Sequence, residues 1–213
     1  MILGDRADVT DIFGNIKSSD QVEQAALDTL KLWWKTYSRE FELQRNLPQD
    51  SLPLPKSYLT AARVDHENAD QLPAVVVVSP GLSGKKPHLE GDGTYRADFA
   101  IGIGVFVAGR DRNSTKSLCR WYVSIARAIM LHRQTLGGFA DGTTWVDESY
   151  DDRFTFEDNQ TVGAGQCIFE ITVHDVVQRW GGPPVPVGPD PDTQPGSDYG
   201  VVETVSAVVE IEE

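Results

Sequence analysis

Tyr95-Arg-Ala-Asp-Phe-Ala-Ile-Gly-Ile-Gly-Val-Phe-Val-Ala108 decides the fold. Its side chains alternate as those of a strand do. Tyr95, Ala97, Phe99, Ile101, Ile103, Val105 and Val107 share one face; Arg96, Asp98, Ala100, Gly102, Gly104, Phe106 and Ala108 share the other. A polar corner follows, Gly109-Arg-Asp-Arg-Asn-Ser-Thr115, and then a helix from about Ser114 to Leu136. One long strand feeding one long helix defines a core onto which the other elements fit.

Upstream, Pro73-Ala-Val-Val-Val-Val-Ser79 is a continuous apolar run bounded by prolines, and reads as a strand buried on both faces. The Gly-, Pro- and Lys-rich loop from Pro80 to Gly93 leads back into the organising strand. Residues 73–108 therefore read as a long-looped antiparallel hairpin. Ser57 to Val64 predicts a further strand, with a polar turn at Asp65–Asp70. Pro48, Pro53 and Pro55 exclude helix from Leu47 to Lys56 and favour an extended path.

The first helix opens at Asp20, with Glu23 three residues on as a capping box. Val22, Ala26, Leu30, Trp33, Tyr37 and Phe41 then recur at helical spacing to about Asn46, and Leu27 and Trp34 widen the stripe. The Trp33–Trp34 pair reads either as core packing or as a contact with a neighbouring molecule. Residues 1–19 form a polar lead-in whose Val9, Ile12, Phe13 and Ile16 dock on the domain or on a neighbour.

Downstream, Gly137 and Gly138 stop the second helix. Thr143 to Ser149 predicts a strand, followed by an acidic patch, Asp147-Glu-Ser-Tyr-Asp-Asp152. Gln166 to Val177 is the last core strand, with Cys167, Phe169, Ile171 and Val173 on one side. Helix, strands, helix, strand gives an α+β class: a small antiparallel or mixed sheet with two long helices packed on one face. Three segments result: an N-terminal extension (1–19), an α+β core domain (20–181) and a C-terminal arm (182–213). The arm begins as a linker with five prolines from Pro183 to Pro191, which keep it extended. Val201, Val202, Val205, Val208, Val209 and Ile211 follow it. A strand-prone segment on such a leash can add to the sheet edge of another subunit; the alternative is a solvated acidic tail.

Net charge is −13, from 32 acidic and 19 basic residues. Seven acids and no Lys or Arg lie from Asp190 onward. Such a chain repels nucleic acid and anionic membranes as a whole. Cys119 and Cys167 sit among apolar residues and read as free thiols, which implies a reducing compartment. Met-Ile-Leu-Gly-Asp-Arg6 has neither the basic nor the apolar region of a signal peptide. No apolar run approaches the ~20 residues of a membrane span.

Catalytic motifs are thin. Gly81-Leu-Ser-Gly-Lys-Lys86 resembles a phosphate loop, but the gap between glycines is too short, no hydroxyl follows the lysine, and Pro87 comes next. Lys85, Lys86 and His88 read better as a basic contact with an acidic partner surface. Gly102-Ile-Gly-Val-Phe-Val-Ala-Gly109 lies inside a strand, and its glycines make a flat strip that admits another backbone. His66, His88, His132 and His174 lack metal-ligand spacing. Asp147, Glu148, Asp151 and Asp152 are a candidate hard-cation cluster and would carry a metal-assisted hydrolase reading. No catalytic residue, metal site or cofactor is assigned, and no enzyme is expected.

The order of the elements is informative. A long capped helix is followed by a Pro-rich extended segment, the Leu72–Pro80 and Tyr95–Ala108 strands, the 114–136 helix and the 166–177 strand. Over roughly residues 20–180 this resembles the tail terminator (tail completion) proteins of long-tailed bacteriophages. The resemblance implies a structural virion protein. It implies a homo-oligomeric ring, usually a hexamer, that ends the tail tube at its head-proximal end and joins it to the head. DNA passes through without specific binding, and the partners are the tail tube protein and the head–tail connector proteins, with no membrane. The location implied is the virion, after host cytoplasm during assembly. Another connector component, a stopper or adaptor, is the near alternative. A monomeric acidic module that mimics nucleic acid is the distant one.

Overall fold

A computed structural model describes residues 17–60, 71–91, 93–155, 161–174 and 176, with backbone alone at 152–155. Along the chain run α1 (Ser19–Gln44), β1 (Ser57–Thr60), β2 (Ala74–Leu82), β3 (His88–Leu89), β4 (Tyr95–Gly109), α2 (Arg112–His132), a 3-10 turn (Leu136–Gly138), β5 (Gly142–Thr155) and β6 (Thr161–Val173). The sheet order is β1-β2-β4-β6-β5, with β3 paired to the start of β4. β1 and β2 are parallel and every other pair is antiparallel. The molecule is α+β: a six-stranded mixed sheet and two long helices.

β4 is central, and its two faces behave as their alternation dictates. Ala97, Phe99, Ile101, Ile103, Val105 and Val107 are buried under the helices. α1 contributes Val22, Ala26, Leu30 and Trp34 to that layer; α2 contributes Cys119, Tyr122, Val123, Ala126, Ile129 and Met130. Each fully buried aliphatic or aromatic side chain is worth about 1.5–3 kcal/mol relative to exposure. The indole of Trp34 sits between the rings of Tyr58 and Tyr122, at 6.2 and 5.8 Å between centroids.

Several boundaries move, each for a local reason. α1 is capped by Ser18, not Asp20. The Ser18 N–H donates to Gln21 Oε1 at 3.2 Å, and its hydroxyl donates to the Asp20 carboxylate. Glu23 is engaged elsewhere: Oε1 accepts the Ser79 N–H at 2.6 Å, pinning α1 to the irregular end of β2. α2 starts two residues early because Asp111 caps it, accepting from the N–H groups of Asn113 and Ser114 at 2.9 Å. It ends at His132, because Leu136, Gly137 and Gly138 all take positive φ.

β2 is buried from Ala74 to Val77 only; Val78 is 39% exposed. β5 runs straight through the acidic patch predicted to follow it, bulging between Trp145 and Asp147 and between Asp151 and Phe154. β6 starts five residues before Gln166, since Val162-Gly-Ala-Gly165 pairs with β4 instead of looping. The glycines there serve α2. A Cβ on Gly163 would meet Thr115 Cγ2 at 3.0 Å, and one on Gly165 would meet Cys119 Sγ and Val123 Cγ2 at 2.8 Å. The N-terminal cluster, the 65–70 turn and the C-terminal arm fall outside the described residues.

Candidate interaction surface

Strand register decides what the second face of the sheet displays. Asp98, Ala100, Gly102, Gly104 and Phe106 of β4 lie beside Thr172, Glu170, Ile168, Gln166 and Ala164 of β6. Val76 and Val78 of β2 lie beside Gly104 and Gly102. Among the described residues no helix covers this face. Its middle is apolar, with Val78 39% and Phe106 36% exposed. Its end near the start of β4 is charged. Lys85 Nζ lies 2.6 Å from Glu170 and 3.4 Å from Asp98, while Thr172 Oγ1 donates to Asp98 at 2.6 Å. Glu90 sits 3.4 Å from Arg96 and 3.7 Å from His174, which also meets Asp141.

The second exposed feature is an edge. β5 ends the sheet order, and among the described residues only its inner side is paired, to β6. Trp145, Val146 and Tyr150 are exposed along it at 43%, 56% and 41%. α2 flanks these rings with cations: Arg127 lies 4.7 Å from the Trp145 ring and Arg120 5.8 Å from the Tyr150 ring. Arg127 also pairs with Glu148 at 2.5 Å. Burial and the hydrogen bond to Glu148 both raise the Tyr150 phenol well above its usual range.

The residues singled out from sequence land in different places. Trp34 is 1% exposed and belongs to the core, so it is no contact for a partner of the folded subunit. Trp33 is only half-buried; the Arg133 guanidinium stacks 3.6 Å from its ring beside exposed Leu32. Lys85 is at the surface but already engaged by Glu170 and Asp98, which raise its ammonium pKa. Lys86 is exposed. Val201, Val202, Val205, Val208, Val209 and Ile211 lie outside the described residues. Trp145 and Tyr150 were not picked out from sequence. The signal was present: two large rings in a strand whose remaining side chains are mostly polar.

The acidic run does not converge. Asp147 and Asp151 pair with Ile168 and Ala164 on the open face, whereas Glu148 pairs with Cys167 on the helix side and is held by Arg127. Alternation separates neighbours in sequence to opposite faces. Among the described residues no three His, Cys, Asp or Glu side chains come together to hold a metal ion. In the Gly81–Lys86 loop, Gly81 and Leu82 still belong to β2 and no helix follows. No helix among the described residues is long and apolar enough to cross a membrane.

Both cysteines are free and buried. Burial pushes the Cys119 thiol up to about 11, against the nearby Arg120 charge, and the Cys167 thiol up to about 12, with Glu148 adding to the effect. The thiolate is the nucleophile. Neither thiol should therefore react with iodoacetamide at pH 8 in the folded protein, and both should react in denaturant. Mass spectrometry reads the count; rapid native alkylation would contradict the burial.

No family model matches this sequence, and no curated protein sequence matches it.

Proposed function

We propose that this chain is a structural virion protein of the tail terminator type. Its copies form a ring, a hexamer in this reading, that ends a phage tail tube and joins it to the head, with DNA passing through the opening. Its partners are then further copies of itself, the tail tube protein and the head–tail connector proteins.

The observation that carries the reading is where apolar surface remains. Among the described residues one face of the sheet stays open, and the 14-residue edge strand β5 has no strand on its outer side. Surfaces of this kind are what closed rings bury between subunits. Two further features support it. The order on which the resemblance rests, a long helix, a Pro-rich segment, strands, a second helix and a last strand, is present in the described core. The net charge of −13 suits a channel through which DNA slides without sticking.

Native mass spectrometry with negative-stain imaging tests the proposal. The expected result is a discrete ring, alone or on addition of tail tube protein, and tubes capped in length when the ring is present. Tubes that grow unchanged beside a monomer would remove it. A ring that binds portal-side proteins and leaves tube growth alone would move the assignment to a stopper or adaptor.

A further inference from the structure

We propose that the segment Tyr199–Ile211 of a neighbouring copy adds as a strand to the free edge of β5. This rests on the ring reading, because it requires a neighbour. Three independent features meet at that edge.

The first is the edge itself. Native sheets blunt their edge strands with short length, charge or bulges. β5 carries two bulges and an acidic run, but it is long, and between the bulges the stretch Asp147–Asp151 keeps regular register with β6. Tyr150 within that stretch, and Trp145 and Val146 just before it, stay exposed. An added strand would cover them and pair the outer backbone groups.

The second is the segment. Along Tyr199–Ile211, one face reads Tyr199, Val201, Glu203, Val205, Ala207, Val209, Ile211; the other reads Gly200, Val202, Thr204, Ser206, Val208, Glu210. The first is apolar but for one acid, which is the pattern of a half-buried strand. Thirteen residues extend about 43 Å, close to the length of the 14-residue β5.

The third is charge. From Arg112 to Ala140 the chain has no Asp or Glu. Arg112, Lys116 and Arg120 follow at i, i+4 and i+8 on α2 and are exposed, and Lys116 and Arg120 line one cavity with Tyr150 and Asp151 of β5. The three cations form a basic stripe on a protein of net charge −13. The segment carries the opposite sign: Glu203 and Glu210 are its only charged residues, with no Lys or Arg. With its apolar face on the α2 side, next to Trp145 and Tyr150, Glu203 points toward this stripe.

The linker is long enough to deliver the segment to a neighbour. The chain leaves β6 beside the start of β4, where the Val176 N–H donates to Tyr95 O at 2.9 Å. Residues 183–196 contain six prolines, and in polyproline geometry they span up to about 40 Å.

Hydrogen exchange on the full chain, under assembling conditions, tests this. The outward-pointing amides of Asp147–Asp151 should exchange at least about 100-fold more slowly than in the Val205→Pro/Val208→Pro chain, whose prolines cannot complete the ladder. β4 amides should be unchanged, which separates loss of pairing from misfolding. Lys116→Glu/Arg120→Glu should weaken the protection, and added salt should do the same to the parent. Equal exchange in parent and proline chains overturns the proposal. So does β5 protection that survives dilution to monomer, which would put the segment on its own edge. Rings with unprotected β5 sink the strand addition and leave the ring reading. Protected β5 in an open fibre upholds the addition and removes the ring.

Discussion

Gly165→Val is expected to lower stability by about 3 kcal/mol, at the upper end of the usual cost of overpacking. The reason is a helix laid directly on the sheet. A Cβ at this position meets Cys119 Sγ and Val123 Cγ2 at 2.8 Å and Tyr150 Cδ1 at 3.1 Å. Cys119 and Val123 belong to one face of α2, and both are buried. Relief therefore requires the whole helix to lift, and the core it covers loses contact with it. For a domain of this size the midpoint should fall by roughly 6–12 °C. Gly102→Ala is the control. The nearest atom to a Cβ there is Val78 O at 3.8 Å, so the methyl has room, and removing a strand glycine stabilises by up to roughly 0.5–1 kcal/mol. Thermal and urea unfolding of the two variants decide the matter. Equal losses at both positions would refute close helix approach as the reason for Gly165.

The contrast shows what was legible in the chain. Alternation along Tyr95–Ala108 gave the buried face of β4 from Ala97 to Val107, with Tyr95 at its start only partly covered, because a central strand puts every second side chain under the helices. The helices were legible by their stripes. β6 was seen only from Gln166, since Gly163 and Gly165 look like loop residues until a helix is placed against them. The acidic stretch of β5 read as a patch following the strand. It is a strand because β6 supplies one whole side of hydrogen bonds, while its charges stay in water at the edge or pair with α2.

The surface was harder to read, for the same physical reason. Sequence periodicity tells which side chains share a face, not whether that face has a cover. Trp33 and Trp34 are adjacent in sequence and equal in bulk, yet 34 is sealed between Tyr58 and Tyr122 and 33 lies under Arg133 at the surface. The helix turns by about 100° between them. Open edges are likewise a property of strand order, and β5 became an edge only because β6, the last strand of the described core, inserts between it and β4.

Glu42→Ala should cost about 2–4 kcal/mol, the loss expected when buried donors lose a charged acceptor. Glu42 is 3% exposed, near the end of α1. Oε1 accepts the Leu52 N–H at 2.8 Å and the Ser51 hydroxyl at 3.4 Å; Oε2 accepts the Asp50 N–H at 3.1 Å. One carboxylate thus folds the proline-rich segment back under the helix and seats Leu52 in the core. The Tyr122 hydroxyl donates to Pro53 O and holds the next residue. The Leu52 N–H, before the others, holds the Glu42 carboxyl below its usual range. Its contribution is therefore complete above the ordinary carboxylate value of 4.5 and is lost as pH falls through the lower folded value. Glu42→Gln keeps the volume but presents an amide where a second acceptor is needed. Its stability should be lower at neutral pH and should depend less steeply on pH below 4.5 than that of the parent. Asp20, held low by the Ser18 hydroxyl, and Asp111, held low by the Ser114 N–H, leave some slope in both proteins. Urea unfolding from pH 3 to pH 7 reads the difference. Parallel curves for parent and Glu42→Gln would mean that the carboxylate charge does not hold the loop.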